Sequence, residues 1–158
     1  MSETVTDGLK ARLRSDLTDS MRARDAIRSS TIRMVLTAVQ VEEVSGTTAR
    51  ELSDAEVTTV LGREAKKRRE AATAYDDAGR AELADKERAE LAVLADYLPE
   101  QLSDDDLVAL VTEEVAAAAA AGATGKAAMG VVMKAVKPRV AGKADGSKVA
   151  AEVRRQLG

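Results

Sequence analysis

Apolar side chains in this 158-residue chain recur at helical spacing almost from end to end, and no window shows sustained apolar–polar alternation with β-branched and aromatic enrichment. A chain patterned this way builds helices and buries one stripe of each. Leu9, Leu13, Leu17 and Met21 recur every four residues and put one stripe on a first helix over 6–24. In a second helix, 25–45, Ile27, Ile32, Met34, Val35, Leu36, Ala38, Val39 and Val41 spread over more than half the wheel. That width predicts a central helix packed by several neighbours.

The ends of the later helices are written in capping residues. Ser53 with Glu56 is a capping box, so a third helix starts there after a 46–52 loop, carries Val57, Val60 and Leu61, and ends at Gly79. A fourth, 80–98, carries Leu83, Leu91, Leu94 and Leu98 and stops at Pro99. Ser103 with Asp106 repeats the capping signal, and Asp104–Asp106 suit a helix N-terminus. The fifth helix runs through Leu107, Leu110, Val111 and the alanine run 116–121 to Gly122, alanine being the best helix former. A sixth begins near Thr124 and ends or kinks at Pro138; a seventh runs from Asp145 to Leu157. The expected fold is all-α: an N-terminal four-helix domain, 1–98, followed by a small C-terminal three-helix bundle, 99–158.

Composition then removes whole classes of chemistry. There is no His, Cys, Trp or Phe, and Tyr75 and Tyr97 are the only aromatics. Imidazole bases, thiolate nucleophiles, zinc sites with N or S ligands, haem ligands and disulfides are excluded. Carboxylates, lysines and hydroxyls remain, and no cofactor or metal is expected. A chain of this size buries roughly 68–70% of its unfolded surface, enough for an aliphatic core without staples. The first twenty residues hold Glu3, Asp7, Lys10, Arg12, Arg14, Asp16 and Asp19 in place of an apolar segment, and the longest apolar run, Val115–Ala121, is too short to span a bilayer. A cytoplasmic protein with no membrane association is the expectation.

The net charge of −3 hides an uneven distribution. Residues 99–123 carry six acids and no base, whereas 124–158 carry eight bases against Asp145 and Glu152. On the sixth helix Met129, Val132, Met133 and Val136 form one stripe, and Lys126, Gly130, Lys134 and Lys137 form a second beside it. Glycine there removes the side chain that would hold a ligand backbone away, and the lysines neutralise phosphate, so the face suits a sugar–phosphate backbone. Equally, Gly130 lets another helix approach closely while the lysines are solvated, and spacing does not choose. Arg139, Lys143 and Lys148 surround the glycine-containing turn into the last helix. That turn does not match a phosphate-binding P-loop, and Asp145 or Ser147 is its expected N-cap.

A second group lies in the first domain. Glu64 and Arg68 fall within the apolar arc of the third helix, in the Glu-before-Arg order that favours pairing, and Glu87 and Glu90 answer from the fourth. Charges pointing inward from facing helices imply a buried polar network that fixes register or lines a shallow groove, with an acid–base cluster as the enzymatic alternative. Lys66, Lys67, Arg68 and Arg69 are consecutive, sweep about 300° of a helix and cannot form one basic face.

Several segments are familiar as a set. Ser30–Thr31–Ile32–Arg33–Met34, Glu51–Leu52–Ser53–Asp54, Tyr97–Leu98–Pro99–Glu100–Gln101–Leu102–Ser103, Met129–Gly130–Val131–Val132–Met133–Lys134 and Gly142–Lys143–Ala144–Asp145–Gly146, in that order, resemble the YqeY family over residues 8–157. That family is related to the C-terminal tail domain of the GatB subunit of the tRNA-dependent amidotransferase. The tail has a similar Gly-x-Val-Met-Lys and Gly-Lys-Ala-Asn-Pro, matching Gly130–Lys134 and Gly142–Asp145; Gly146 stands where the tail has Pro. The resemblance implies an all-helical protein in two parts whose related tail contributes to tRNA recognition, with a family association to carbon–nitrogen ligase activity using glutamine as amido donor. The catalytic signatures of the amidotransferase are absent from this sequence. The reading is therefore a non-catalytic helical module that binds tRNA through Lys126, Gly130, Lys134, Lys137, Arg139, Lys143 and Lys148. The alternative is an adaptor docking on an aminoacyl-tRNA synthetase or amidotransferase, and an enzyme in its own right has no motif behind it.

Overall fold

The computed structural model describes residues 8–158. The described residues form seven helices and no strand: α1 (Leu9–Arg22), α2 (Ala26–Glu43), α3 (Asp54–Asp77), α4 (Ala81–Ala95), α5 (Asp104–Ala120), α6 (Lys126–Val140) and α7 (Gly146–Leu157). The expected start of the first helix at residue 6 lies outside them. Capping sets the boundaries: Ser53 and Glu56 close a full capping box on α3, Ser103 accepts from the Asp106 N–H, and Asp145 accepts from the Ser147 N–H. Gly79 and Gly122, just past α3 and α5, take φ of 72° and 85°, the left-handed conformation that ends a helix. α6 does not stop at Pro138 but runs on to Val140. The proline sits in the last turn on the exposed side, where the one hydrogen bond it removes is cheaply replaced by water. None of the described helices is long and apolar enough to cross a membrane.

The chain divides into two compact units, residues 1–98 and 99–158. In the first, Leu13, Ile32, Val35, Val39, Val57, Leu61 and Leu94 are sealed from solvent, with Tyr97 and Leu52 closing the edge. Met21, placed in the core stripe by its spacing, is instead 45% exposed at the end of α1. In the second, Leu107 and Val111 of α5, Val132, Val136 and Val140 of α6, and Val149 and Val153 of α7 form the core. At about 25 cal/mol per Å², each buried valine contributes on the order of 1.5 kcal/mol. The 132/136/140 row thus fixes the rotation of α6, and with it the face turned to solvent.

Candidate nucleic-acid interface

With that row inward, the neighbouring side of α6, about 120° round the helix, carries Lys126, Lys137, Gly130 and Lys134 within an arc of about 80°. All four are exposed. From Lys126 to Lys137 the stripe is roughly 16 Å long at about 1.5 Å rise per residue. A Cβ built on Gly130 meets nothing within 4 Å among the described residues, so no helix of its own unit packs closely on this glycine. An exposed glycine inside a helix costs about 1 kcal/mol against alanine and here returns no packing.

Charge pairing sorts the remaining cations. Arg139 projects from another side of α6 and is held by two carboxylates of α5, Glu114 at 2.7 Å and Glu113 at 3.1 Å. Those carboxylates hydrogen-bond its guanidinium and raise its pKa further, so its charge is already balanced within the unit. Arg155 is paired likewise with Glu152. Lys148 reaches Asp104 at 3.4 Å with both side chains largely in water, an ion pair of little energetic weight. Lys126, Lys134, Lys137 and Lys143 make no ion pair among the described residues, and neither does exposed Arg154, a cation the spacing argument passed over.

Lys143 is brought to the surface by a built turn. Gly142 takes φ 71°, the Lys143 and Ala144 N–H groups fold back onto the Val140 carbonyl, and Asp145 then caps α7. The turn is tied down by the segment before α5. Gln101 Nε2 donates to the Gly142 carbonyl at 2.7 Å, and the Leu102 N–H donates to the Lys143 carbonyl at 2.9 Å. Part of the Tyr97–Ser103 motif therefore holds the lysine turn in place. Tyr97 itself serves the first unit: its hydroxyl donates to Asp16 and accepts from Arg28, and the Arg12 guanidinium lies 4.7 Å above its ring. Burial, then the bond to Asp16, push its pKa up to about 12.

This chain matches the family model described as Yqey-like protein over residues 10–157. It belongs to the YqeY family. It is also 32% identical over 96 residues to an uncharacterised protein, C22F3.15, of Schizosaccharomyces pombe, a match covering 61% of this chain and 76% of that one.

The inward charges of α3 and α4 lie elsewhere, in the first unit. Arg68 is 4% exposed and donates to the Glu64 carboxylate and, at 3.2 Å, to the Glu64 carbonyl; Glu90 stands 3.5 Å from its Nε. Lys67 closes on the other Glu64 oxygen at 3.0 Å. Burial pushes Glu64 up, but the bonds from Lys67 and Arg68 outweigh it and hold the carboxyl below its ordinary range. Glu87 is half-exposed and no hydrogen bond or ion pair joins it to this group. The third partner is Met34, whose sulfur lies 3.4 Å from Arg68 Nη2. Of the four consecutive cations in α3, Arg68 is the one turned fully inward.

Proposed function

We propose that this YqeY-family protein is a non-catalytic module that binds tRNA by its backbone through the second unit. The observation behind this reading is the set of four exposed lysines without carboxylate partners among the described residues: Lys126, Lys134 and Lys137 ranged about a bare glycine on a helix fixed by its buried valine row, and Lys143 in the turn beyond its C-terminus. Lys148, and Arg154 beyond the motif, can add to it; Arg139 is neutralised by α5. The second unit has no aromatic residue, so no stacking platform for splayed bases exists there, and shape and phosphate reading is the mode that fits. The likeness of Gly130–Lys134 and Gly142–Asp145 to the amidotransferase tail supports tRNA as the duplex in question.

The test is a filter-binding titration of tRNA against salt. Four phosphate contacts give a log–log slope of about −3.6, a loss of roughly 150-fold in affinity between about 50 and 200 mM salt. Lys134→Gln with Lys143→Gln halves the number of phosphates neutralised, and the same salt step then costs roughly 12-fold. Arg88→Gln, which removes a cation already paired with Asp76 and Asp85, leaves the slope unchanged. Absence of binding at low salt, or a slope indifferent to the double substitution, overturns the reading.

A further inference from the structure

A different surface, on the first unit, is left over by that reading. Along α2, Ile27, Ser30, Met34, Thr37 and Val41, with Val44 at the C-cap, step by three and four residues as a heptad seam does, and all six are exposed. Ile27, Met34, Val41 and Val44 are 42%, 48%, 60% and 60% exposed. Single exposed apolar residues are ordinary, but four of them aligned over nearly five turns, with Ser30 and Thr37 between them at the spacing of a helix–helix seam and only the Met34 sulfur touching Arg68, make a face that no helix among the described residues seals. Against this seam opens a groove of about 410 Å³ between α1 and α2, floored by Leu17 and Leu36 and reached by Thr37.

The charges beside the groove say what would cover it. Lys10 is neutralised by Glu43 at 2.7 Å, whereas Arg14 and Arg33 on the same rim make no ion pair among the described residues. Arg33 rests against the sulfur of exposed Met21. The rim is therefore positive beside an apolar stripe. A second copy of this chain across a two-fold axis would set the same positive rim against itself, because an isologous interface pairs each patch with its own likeness. We propose that the α2 seam is a docking site for an amphipathic helix of another protein, apolar at its a and d positions and acidic at the flanks. This inference does not rest on the RNA reading.

The 158-residue chain is used to select from a displayed library of 21-residue helices with apolar a and d positions and flanks randomised among Glu, Gln and Lys. Glu-flanked clones are expected to enrich, and a synthetic peptide of the leading sequence to bind at least tenfold more weakly to Met34→Glu/Val41→Glu and to Arg14→Glu/Arg33→Glu. Helicity of each variant is checked by circular dichroism, and Val41→Gln replaces the double substitution if it unfolds. Lys134→Gln/Lys143→Gln leaves peptide binding unchanged, which separates this site from the RNA face. Failure of any clone to enrich, enrichment of neutral or basic flanks, or indifference to the α2 variants overturns the proposal. So does a dimer in sedimentation velocity that Val41→Glu dissolves, since a second copy would then occupy the seam, or a loss of tRNA affinity confined to the α2 variants, which would make it an RNA surface.

Discussion

Replacing Gly130 by alanine should raise stability and lower RNA affinity together. Gly130 is an interior residue of α6 with ordinary helical backbone, it is exposed, and an added Cβ meets nothing within 4 Å. The substitution thus removes glycine's entropic penalty without creating a clash, a gain of about 0.5–1 kcal/mol. For a unit of this size 1 kcal/mol corresponds to roughly 4–8 °C, so the transition of the second unit should rise by about 2–8 °C in calorimetry of the intact chain. If the bare backbone between Lys126, Lys134 and Lys137 is where phosphate approaches, the methyl group stands off the ligand and tRNA affinity drops, by about tenfold for each 1.4 kcal/mol of binding free energy removed. The two signs are opposed, and each half can be refuted. A lower melting temperature would mean that position 130 carries a backbone constraint its open surroundings do not account for. A higher melting temperature with unchanged affinity would remove glycine from the interface and leave the lysines as solvated charge.

The buried ion group gives a stability prediction of the other sign. Arg68→Met leaves Glu90 without its cation and Glu64 with Lys67 alone, and removal of one partner of a buried pair costs on the order of 3 kcal/mol, a fall of roughly 12 °C or more for the first unit. Glu64→Leu/Arg68→Met/Glu90→Leu removes the orphaned charges as well and should recover most of that loss; an unchanged melting temperature for Arg68→Met alone would dispose of the buried network. Because the Glu64 carboxyl is held below its ordinary range, its ionised form adds stability above the unfolded value near 4.5, and that contribution disappears as pH falls through the folded one. Melting curves of wild type and Glu64→Gln should therefore lie apart from about pH 5 upward and converge in acid, and a constant gap down to about pH 3 would contradict the assignment. Tyr97 runs the opposite way: with its pKa pushed up to about 12, the unfolded state loses the proton first and stability declines above about pH 10. Absorbance in the tyrosinate band should show an ionisation step near pH 12 that Tyr97→Phe abolishes and Asp16→Asn moves down.

Helix positions were legible because their signals are local. Ser53 with Glu56, Ser103 with Asp106, and Gly79 and Gly122 act within one turn of themselves, so a linear reading finds them. Pro138 misled because its cost depends on whether the orphaned carbonyl reaches water, which is decided by the rotation of α6. The binding face was legible only as a stripe. Eight basic residues in the last third look alike in sequence, yet the packing of α5 against α6 takes Arg139 out with Glu113 and Glu114 and leaves Lys126, Lys134 and Lys137 free. Glu87 and Glu90 differ by three positions on one helix, and only the register of α4 on α3 brings the second to Arg68. The wide apolar arc of α2 predicts a central helix packed by several neighbours, and it has three, but hydrophobicity does not say how much of the arc they cover. Helices α1, α3 and α4 pack on it and seal Ile32, Val35 and Val39, while Ile27, Met34 and Val41 stay in water. The same pattern that predicts a core residue also predicts a docking residue, and the two are told apart by which faces the chain's own helices have covered.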